Sequence, residues 1–262
     1  MRARLYVAAL AVLILSGSVA LAQLLLTGAG QPVNGGGSTC DPNFSSVVLL
    51  LGNDNAANGT TTFADQSNSA HTLTSSGAAY SNLTAPAGMS TSINVPGSNS
   101  YVKSANSTDW QLGSGNFTIE FWIKIPNQTG LFLLNTLVSG VDELMMEPNG
   151  SNFIQYAATN TSTWDIENGS TPYGSSAYQN TWTHIAFYRV GTQFYNSMGG
   201  SVTNTGTSSG TMLATANPLA MGDQAGAGSA FNGNFASLRI TKGVARYGSS
   251  NFTPPSLPLP HC

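Results

Sequence analysis

Charged residues are scarce in this sequence. Asp, Glu, Lys and Arg make up only 7% of the 262 residues, against about 25% in an average soluble protein. Long surface helices and coiled coils need such residues on their exposed faces, and the 29 glycines weaken helices further. The composition therefore argues against a helical architecture, and the polar surface must come from Ser, Thr, Asn and Gly.

Basic and metal-binding residues are also few. Eight Lys and Arg against eleven Asp and Glu leave a net charge of −3 at pH 7, without the basic clusters that bind phosphates. The three histidines and two cysteines do not stand at the spacings of a zinc site. The sequence therefore predicts neither a nucleic-acid partner nor a zinc centre.

The one long apolar run is at the N-terminus. Arg2 and Arg4 precede an apolar stretch over residues 5–15, and small residues follow up to Ala22. This order is typical of a signal peptide, so we predict a signal helix within residues 1–22 and cleavage after Ala22. The alternative is a retained membrane anchor, because three more leucines at 24–26 extend the run to about 20 residues.

The next segment, residues 23–39, is rich in Gly and has no apolar period, so we predict a flexible linker. A single domain over residues 40–262 follows, and two cysteines, Cys40 and Cys262, stand at its ends. Because exported proteins keep their disulfides, we predict an intramolecular bond between these cysteines. A bond between two chains and two free thiols are the alternatives.

Short alternating segments separated by Gly, Asn, Ser and Pro run through this domain, which is the pattern of a β-sandwich or barrel. The clearest strand covers residues 117–125, where every second residue is Phe or Ile and predicts a core-facing side. Trp122 lies on the opposite face. It would pack against neighbouring structure or line a ligand groove, and we favour packing.

Two more strands are predicted nearer the C-terminus. Residues 182–189 are apolar on both faces, which is typical of a central strand. Residues 235–240 would direct Ala236, Leu238 and Ile240 inward. Four prolines after residue 253 cannot donate to a ladder, so we predict that the chain ends as an extended strap.

Three strings, in this order, resemble one family. They are NFTIEFWIK at residues 116–124, WTHIAFYRVG at 182–191 and FNGNFASLRITKGVARY at 231–247, the last followed by NFTPP at 251–255. These strings resemble strands of the laminin G-like jelly-roll branch of the concanavalin A-like lectin and glucanase superfamily. The resemblance implies an all-β fold, a two-sheet antiparallel jelly-roll sandwich, preceded by the signal helix.

Many relatives in this branch hold a structural calcium ion with an Asp of the closing strand. The matching position here is Ala236, which has no side-chain oxygen, whereas calcium takes about six to eight oxygen ligands. Asp54 and Asp65 in the early loops are the remaining candidate ligands. We therefore expect no cofactor, with calcium at these two acids as the alternative.

Glucanases that the resemblance includes carry three acids on one strand. The nearest string here runs from Glu143 to Glu147, with Met145 at the position of the middle acid. On a regular strand the two carboxyl groups would be about 13 Å apart, too far for a retaining pair at about 5.5 Å. We therefore predict that the protein is not an enzyme.

The best candidate for ligand recognition is the segment from residue 160 to 180. It offers aromatic rings that can stack on the C–H faces of sugars and polar groups that can bond to hydroxyls. The candidate residues are Trp164, Asp165, Asn168, Tyr173 and Tyr178. The alternative is that Trp164 begins a buried strand and Tyr178 caps the core.

These observations predict an exported, noncatalytic recognition or adhesion module whose partner is a glycan or another cell-surface component, secreted or held at the cell surface. The alternative is a structural protein that decorates a bacterial surface or a phage particle, in the periplasm or the virion. A hydrolase with an unrecognised site is the third hypothesis. The resemblance does not separate these functions, because this fold occurs in proteins of unrelated roles.

Overall fold

The computed structural model describes residues 40–97, 99–129, 133–136, 140–150, 152–174, 178–215, 217–223 and 231–262. The predicted signal peptide (1–22) and linker (23–39) lie outside these residues. Within the described ranges, no helix combines the length and the apolar character that crossing a membrane requires.

The described residues form sixteen strands, numbered along the chain, in two antiparallel sheets of eight. The first sheet consists of β1 (Val47–Leu51), β3 (Ala79–Ser81), β4 (Ser92–Pro96), β6 (Phe117–Lys124), β12 (Thr183–Val190), β13 (Gln193–Met198), β14 (Ser201–Thr207) and β16 (Asn232–Lys242). The second sheet consists of β2 (Leu73–Ser76), β5 (Tyr101–Ser104), β7 (Gln128–Thr129), β8 (Leu134–Asn135), β9 (Leu144–Gly150), β10 (Asn152–Ala157), β11 (Glu167–Asn168) and β15 (Ala220–Gly222).

The strand order is that of a jelly-roll sandwich, which confirms the predicted all-β fold. Across the first sheet the order is β14-β13-β12-β6-β16-β4-β3, and β1 also pairs with β16. Across the second sheet it is β11-β10-β9-β8-β15-β5-β2, and β7 also pairs with β9. Among the described elements are two single turns of 3-10 helix, Phe44–Ser46 and Thr108–Trp110.

The main core lies between the two sheets, and β6 contributes to it as predicted. Its inward side chains are each at most 1% exposed: Phe117, Ile119, Phe121, Ile123 and the adjoining Ile125. The opposite face of β6 is also covered, since Thr118 and Glu120 on that face have no exposed surface. Both faces of β6 are therefore buried: one faces the main core, and the other is covered on the outer side of the first sheet.

A bulge in β16 corrects the predicted facing of Ala236. The pairing of β16 with β6 shifts between Ala236 and Arg239, where Ser237 has a φ of +51°. A bulge inserts one extra residue and inverts the alternation beyond it. As a result Leu238 lies in the main core, whereas Ala236 pairs with Trp122 on the outer face of the first sheet.

The C-terminal segment forms the predicted strap and crosses the outer face of the first sheet. Its leucines pack with residues of the first strand in a second, smaller cluster that contains Phe44, Val47, Leu50, Leu257 and Leu259. Trp122 packs against this cluster, which agrees with the favoured prediction for its side chain. Asn53 fixes the strap, because its Nδ2 donates to the Leu259 carbonyl at 2.9 Å and its Oδ1 accepts from the Leu259 N–H at 2.7 Å.

A disulfide closes the domain. Cys40 and Cys262 are bonded, with their Cα atoms 5.3 Å apart, and lie 222 positions apart in the sequence. The predicted intramolecular bond is confirmed. It ties the end of the strap to the segment that enters β1.

Candidate functional site

Several polar residues of the three family-like strings meet in one buried network on the outer face of the first sheet. Arg239 donates from Nε and Nη2 to Oε1 of Glu120 at 2.9 and 2.7 Å. His184 Nε2 lies 3.0 Å from Oε2 of Glu120, and the hydroxyl of Tyr247 donates to the same oxygen at 2.5 Å. Both oxygens of this carboxylate therefore have two partners each.

The strap covers this network. Phe252 stacks on the ring of Tyr247 with centroids 3.7 Å apart and 6° between the planes. Burial raises the pKa of Glu120, but the charge of Arg239 and the hydrogen bond from His184 outweigh this effect and hold the pKa well below its usual range. This buried carboxylate is ionised at neutral pH, and donors on both of its oxygens leave it no free position for a substrate.

The two acids of the 143–147 string have separate surroundings. Glu143 has no exposed surface, and its Oε1 accepts from the Leu112 N–H at 2.6 Å. Burial raises the pKa of Glu143 to about 8. Glu147 lies on the outer face of the second sheet, because β9 directs Leu144 and Met146 inward and side chains alternate along a strand.

An aromatic pair stands at the edge of the second sheet. The ring of Trp164 lies 5.4 Å from the ring of Tyr156, with 51° between the planes. Both residues are half-buried, and neither belongs to the core clusters. Asn168 pairs with Tyr156 across the ladder and is exposed on the same face. We call Tyr156, Trp164, Asp165 and Asn168 the recognition patch.

The Tyr156 ring is held in place from two sides. Its hydroxyl donates to Oε1 of Glu147 at 3.2 Å. Its ring lies directly over Gly169, where a Cβ atom would come within 2.7 Å of Cζ. This glycine has a φ of +73°, a conformation that glycine adopts without strain. The close approach of the ring and the turn both require glycine at this position.

A closed turn presents Trp164. Asp165 accepts from the N–H and the hydroxyl of Thr159 at 2.7 and 2.6 Å, and from Nδ2 of Asn160 at 3.1 Å. Asn160 in turn accepts from the N–H groups of residues 162 and 163 at 2.8 and 3.0 Å. Slight burial raises the pKa of Asp165, but the hydrogen bonds from Thr159 outweigh this and lower it. The turn is thus fixed by local bonds and keeps a charged carboxylate at the surface.

Two of the predicted ligand residues are part of the core, and the expectation that they line a ligand surface is wrong. Tyr173 and Tyr178 are 3% and 1% exposed. Their rings pack on Phe153 of β10, with centroids 6.0 and 4.6 Å away. Of the five predicted ligand residues, Trp164, Asp165 and Asn168 belong to the patch, and Tyr173 and Tyr178 belong to the core.

Tyr156 is the patch residue that sequence reasoning missed. The string NFIQYA of β10 contains the signal, because Phe153 and Ala157 face the core and an alternating strand places Tyr156 on the other side. Gln155, which also points inward, bonds to Oε2 of Glu167 at 3.1 Å. A polar residue at an inward position obscured the alternation.

The two candidate calcium ligands have other partners. Oδ1 of Asp65 accepts from the N–H groups of Leu50 and Ser67, and Oδ2 accepts from the Ser67 hydroxyl and the His71 N–H, all within 3.0 Å. Asp54 is exposed and accepts from the Tyr80 hydroxyl at 2.6 Å. In the described part of the chain, His, Cys, Asp and Glu side chains form no group of three that could hold a metal ion. The expectation of no cofactor, with calcium at these two acids as the alternative, stays a prediction.

The family follows from comparison with known proteins. A family model of the laminin G type, described as the concanavalin A-like lectin/glucanases superfamily, matches residues 96–245. The chain belongs to this superfamily. No curated protein matches the sequence.

Solved binding domains share the fold of this superfamily member. The binding domain of Paraclostridial Mosquitocidal Protein 1 gives a TM-score of 0.59 at 13% identity, over 78% of this chain and 50% of that one. The binding domain of Botulinum Neurotoxin DC, in complex with SialylT, gives 0.55 at 14% identity, over 78% and 50%. This chain therefore spans about half the length of the toxin domains it resembles.

A smaller neighbour matches over nearly its full length. Domain 4 of AbnA, a GH43 extracellular arabinanase from Geobacillus stearothermophilus, in complex with arabinotriose, gives a TM-score of 0.52 at 15% identity. The match covers 76% of this chain and 93% of that domain. At such identities these similarities establish the fold.

Proposed function

We propose that this superfamily member is an exported, noncatalytic module that binds glycans through the recognition patch. The observation that carries the proposal is the pair of partly exposed rings, Tyr156 and Trp164, beside the carboxylate of Asp165 and the carboxamide of Asn168. Such rings stack on the C–H faces of sugars, and such polar groups bond to sugar hydroxyls.

The structural neighbours support a carbohydrate ligand. Among them, the arabinanase domain was solved with arabinotriose and has nearly the same extent as this fold. Arabinotriose is therefore the first neutral oligosaccharide to test. The patch itself carries one carboxylate and no cation, which also favours a neutral sugar.

The buried acids support a noncatalytic role, and the disulfide supports export. Glu120 and Glu143 have no exposed surface, so neither can reach a scissile bond in this conformation. The Cys40–Cys262 bond is of the kind that persists outside the cytoplasm. An exported protein that recognises a surface glycan would serve adhesion.

A glycan array tests the proposal. The full chain, with and without calcium, is applied to neutral and acidic oligosaccharides that include arabinotriose, and every ligand found is then titrated by calorimetry. We expect a neutral oligosaccharide to bind, and Trp164→Ala to weaken its binding at least about tenfold, which corresponds to ~1.4 kcal/mol for one lost stacking contact.

The matched control is Tyr195→Ala. Tyr195 is also a half-buried aromatic residue, but it belongs to the first sheet, where it stacks on Tyr188 at 5.3 Å. Its removal should leave glycan affinity unchanged. The proposal is wrong if no glycan binds to the folded chain, or if Trp164→Ala binds as tightly as the wild type.

A further inference from the structure

A second set of binding groups lies on the first sheet, around the hydroxyl of Thr84. This hydroxyl accepts from the ammonium of Lys124 and from the indole Nε1 of Trp182, each at 3.2 Å. One small side chain thus brings a cation and a large aromatic ring together at the surface. Both Lys124 and Trp182 are half-buried, and Trp182 belongs to neither core cluster.

Two carboxamides continue from Lys124 across the sheet. Lys124 of β6 pairs with Asn234 of β16, which pairs with Asn94 of β4. Directly paired residues share a face, and neighbouring strands are about 4.8 Å apart, so the three side chains form a row of roughly 10 Å. Asn234 is buried and donates to Ser92 Oγ at 3.0 Å, whereas Asn94 is more open to solvent and donates from Nδ2 to the Gly233 carbonyl at 3.2 Å.

Within the described residues, Lys124 has no acidic side chain within 4.0 Å. Among the described residues, every ion pair within 4.0 Å involves another cation, namely His71, His184, Arg239 or Arg246. The Thr84 hydroxyl takes one of the three N–H groups of the Lys124 ammonium. In a chain with a net charge of −3, an uncompensated cation beside an indole is a site of local positive potential.

Hydrogen bonds hold the loop that carries Thr84, and the residue before Thr84 is an exposed leucine. The Ser92 hydroxyl donates to the Thr84 carbonyl at 2.6 Å, and the Leu83 N–H donates to Ser81 Oγ at 3.3 Å. Leu83 is 92% exposed and is the single large hydrophobic residue of the described chain that stands out in this way. The surface around Thr84 therefore presents a flat ring and an ammonium, with a carboxamide two strands away on the same face.

We propose that Trp182, Lys124 and Asn94 form a second binding site, which takes a carboxylate-bearing sugar of an acidic oligosaccharide. The carboxylate accepts from Lys124, the C–H face of the ring stacks on Trp182, and Asn94 bonds to hydroxyl groups. A single cation suits the single charge of a carboxylate, whereas a phosphate or sulfate chain would need several. The site shares no residue with the recognition patch and does not depend on it.

The test compares each acidic sugar with its uncharged ester. The full chain is titrated with trigalacturonic acid and with 3′-sialyllactose, and each titration is repeated with the methyl ester of the same sugar. We expect at least one acid to bind about tenfold or more tightly than its ester, because a charge-assisted hydrogen bond is lost in the ester. Equal affinity of acid and ester for both sugars, or no binding of either acid, overturns the proposal.

Variants test whether the preference for the acid over its ester arises at this site. Lys124→Gln should abolish the preference for acid over ester, and Trp182→Ala should weaken binding of both forms. The matched control is Lys103→Gln, because Lys103 is a half-buried lysine of the second sheet that lies 4.8 Å from the Tyr101 ring centroid. The proposal is wrong if Lys124→Gln keeps the preference or if Lys103→Gln removes it equally.

Two further measurements separate this site from the recognition patch and from unfolding. Trp164→Ala should keep the full preference for the acid. If this variant loses the preference, the acid binds at the recognition patch and the proposal is wrong. Trp182→Phe keeps an aromatic ring but loses the bond to Thr84 and part of the indole's stacking area, so it should bind the acid more tightly than Trp182→Ala does. Thermal unfolding of each variant confirms that the compared proteins are folded.

Discussion

Arg239 and Glu120, which lie 119 positions apart in the sequence, form a buried ion pair in which Nε and Nη2 of Arg239 both donate to Oε1 of Glu120, at 2.9 and 2.7 Å. Each belongs to one of the strings by which the family is recognised. The pair also contacts His184 and Tyr247 from the same strings. The residues of the family-like strings thus stabilise the contact between the strap and the first sheet. The recognition patch lies at the edge of the second sheet.

The first prediction concerns this pair. Arg239→Met should lower the free energy of unfolding by about 3–5 kcal/mol, because it leaves a buried carboxylate without its strongest partner. Denaturant unfolding measures the loss. Lys242→Met on the same strand is the control and should cost under about 1 kcal/mol, since Lys242 makes one bond, to the Thr108 carbonyl. Equal losses in the two variants would contradict the structural role of the pair.

The second prediction is a pH dependence from Glu143. Burial raises the pKa of this carboxyl from 4.5 to about 8 in the folded chain. Between these values the folded chain keeps a proton that the unfolded chain has lost. The free energy of unfolding therefore falls as the pH rises, by up to about 1.4 kcal/mol per pH unit. Above pH 8 both states have lost the proton, and the effect levels off.

Glu143→Gln removes this titration. The variant should therefore gain stability relative to the wild type as the pH is raised from 5 to 8, and the difference should stay constant above that. The measurement is the free energy of unfolding of both proteins across this range. A difference that does not change with pH would show that Glu143 has an ordinary pKa.

The third prediction concerns the disulfide. It closes a loop of 222 residues, for which the chain-entropy relation gives about 5 kcal/mol of stabilisation. Replacing Cys40 and Cys262 together by Ser should lower the free energy of unfolding by about this amount. Denaturant unfolding measures the loss as a lower midpoint. Reduction of the wild type is the control and should give the same midpoint. A double variant as stable as the oxidised wild type would contradict the prediction.

The fourth prediction tests whether glycan binding depends on the position of the Tyr156 ring. Gly169→Ala places a Cβ within 2.7 Å of the Tyr156 ring, so the ring must move and glycan binding through the patch should weaken although no aromatic group is lost. Gly191→Ala is the control, because Gly191 has a similar φ of +60° but no atom within 4 Å of the added Cβ. Both variants carry the same backbone strain, and only Gly169→Ala should bind less tightly.

The strands could be predicted from the sequence because their side chains alternate with a period of two. β6 shows this best, and its core face is as expected. The facing of Ala236 could not be predicted, because the bulge at Ser237 depends on bonds to Gly52 and Asn53, nearly 200 positions away. The burial of Glu120 could not be predicted either, because it depends on the strap.

The recognition patch could be predicted only in part. The 160–180 segment is rich in aromatic and polar residues throughout, so composition does not separate Trp164, which reaches the surface, from Tyr173 and Tyr178, which pack on Phe153. The difference arises from the pairing of Tyr173 with Phe153 of β10. A contact of this kind depends on the fold and leaves no local pattern in the sequence.

The most direct test of glycan recognition by the patch is an NMR titration that follows the indole N–H signals of the four tryptophans. Each signal is assigned by a Trp→Phe variant, and arabinotriose and each neutral ligand from the array are added to the wild-type chain. We predict that a neutral glycan shifts the Trp164 signal saturably and leaves the signal of buried Trp110 in place. Saturable binding without a shift at Trp164, or no shift of any signal with any glycan, would contradict the account.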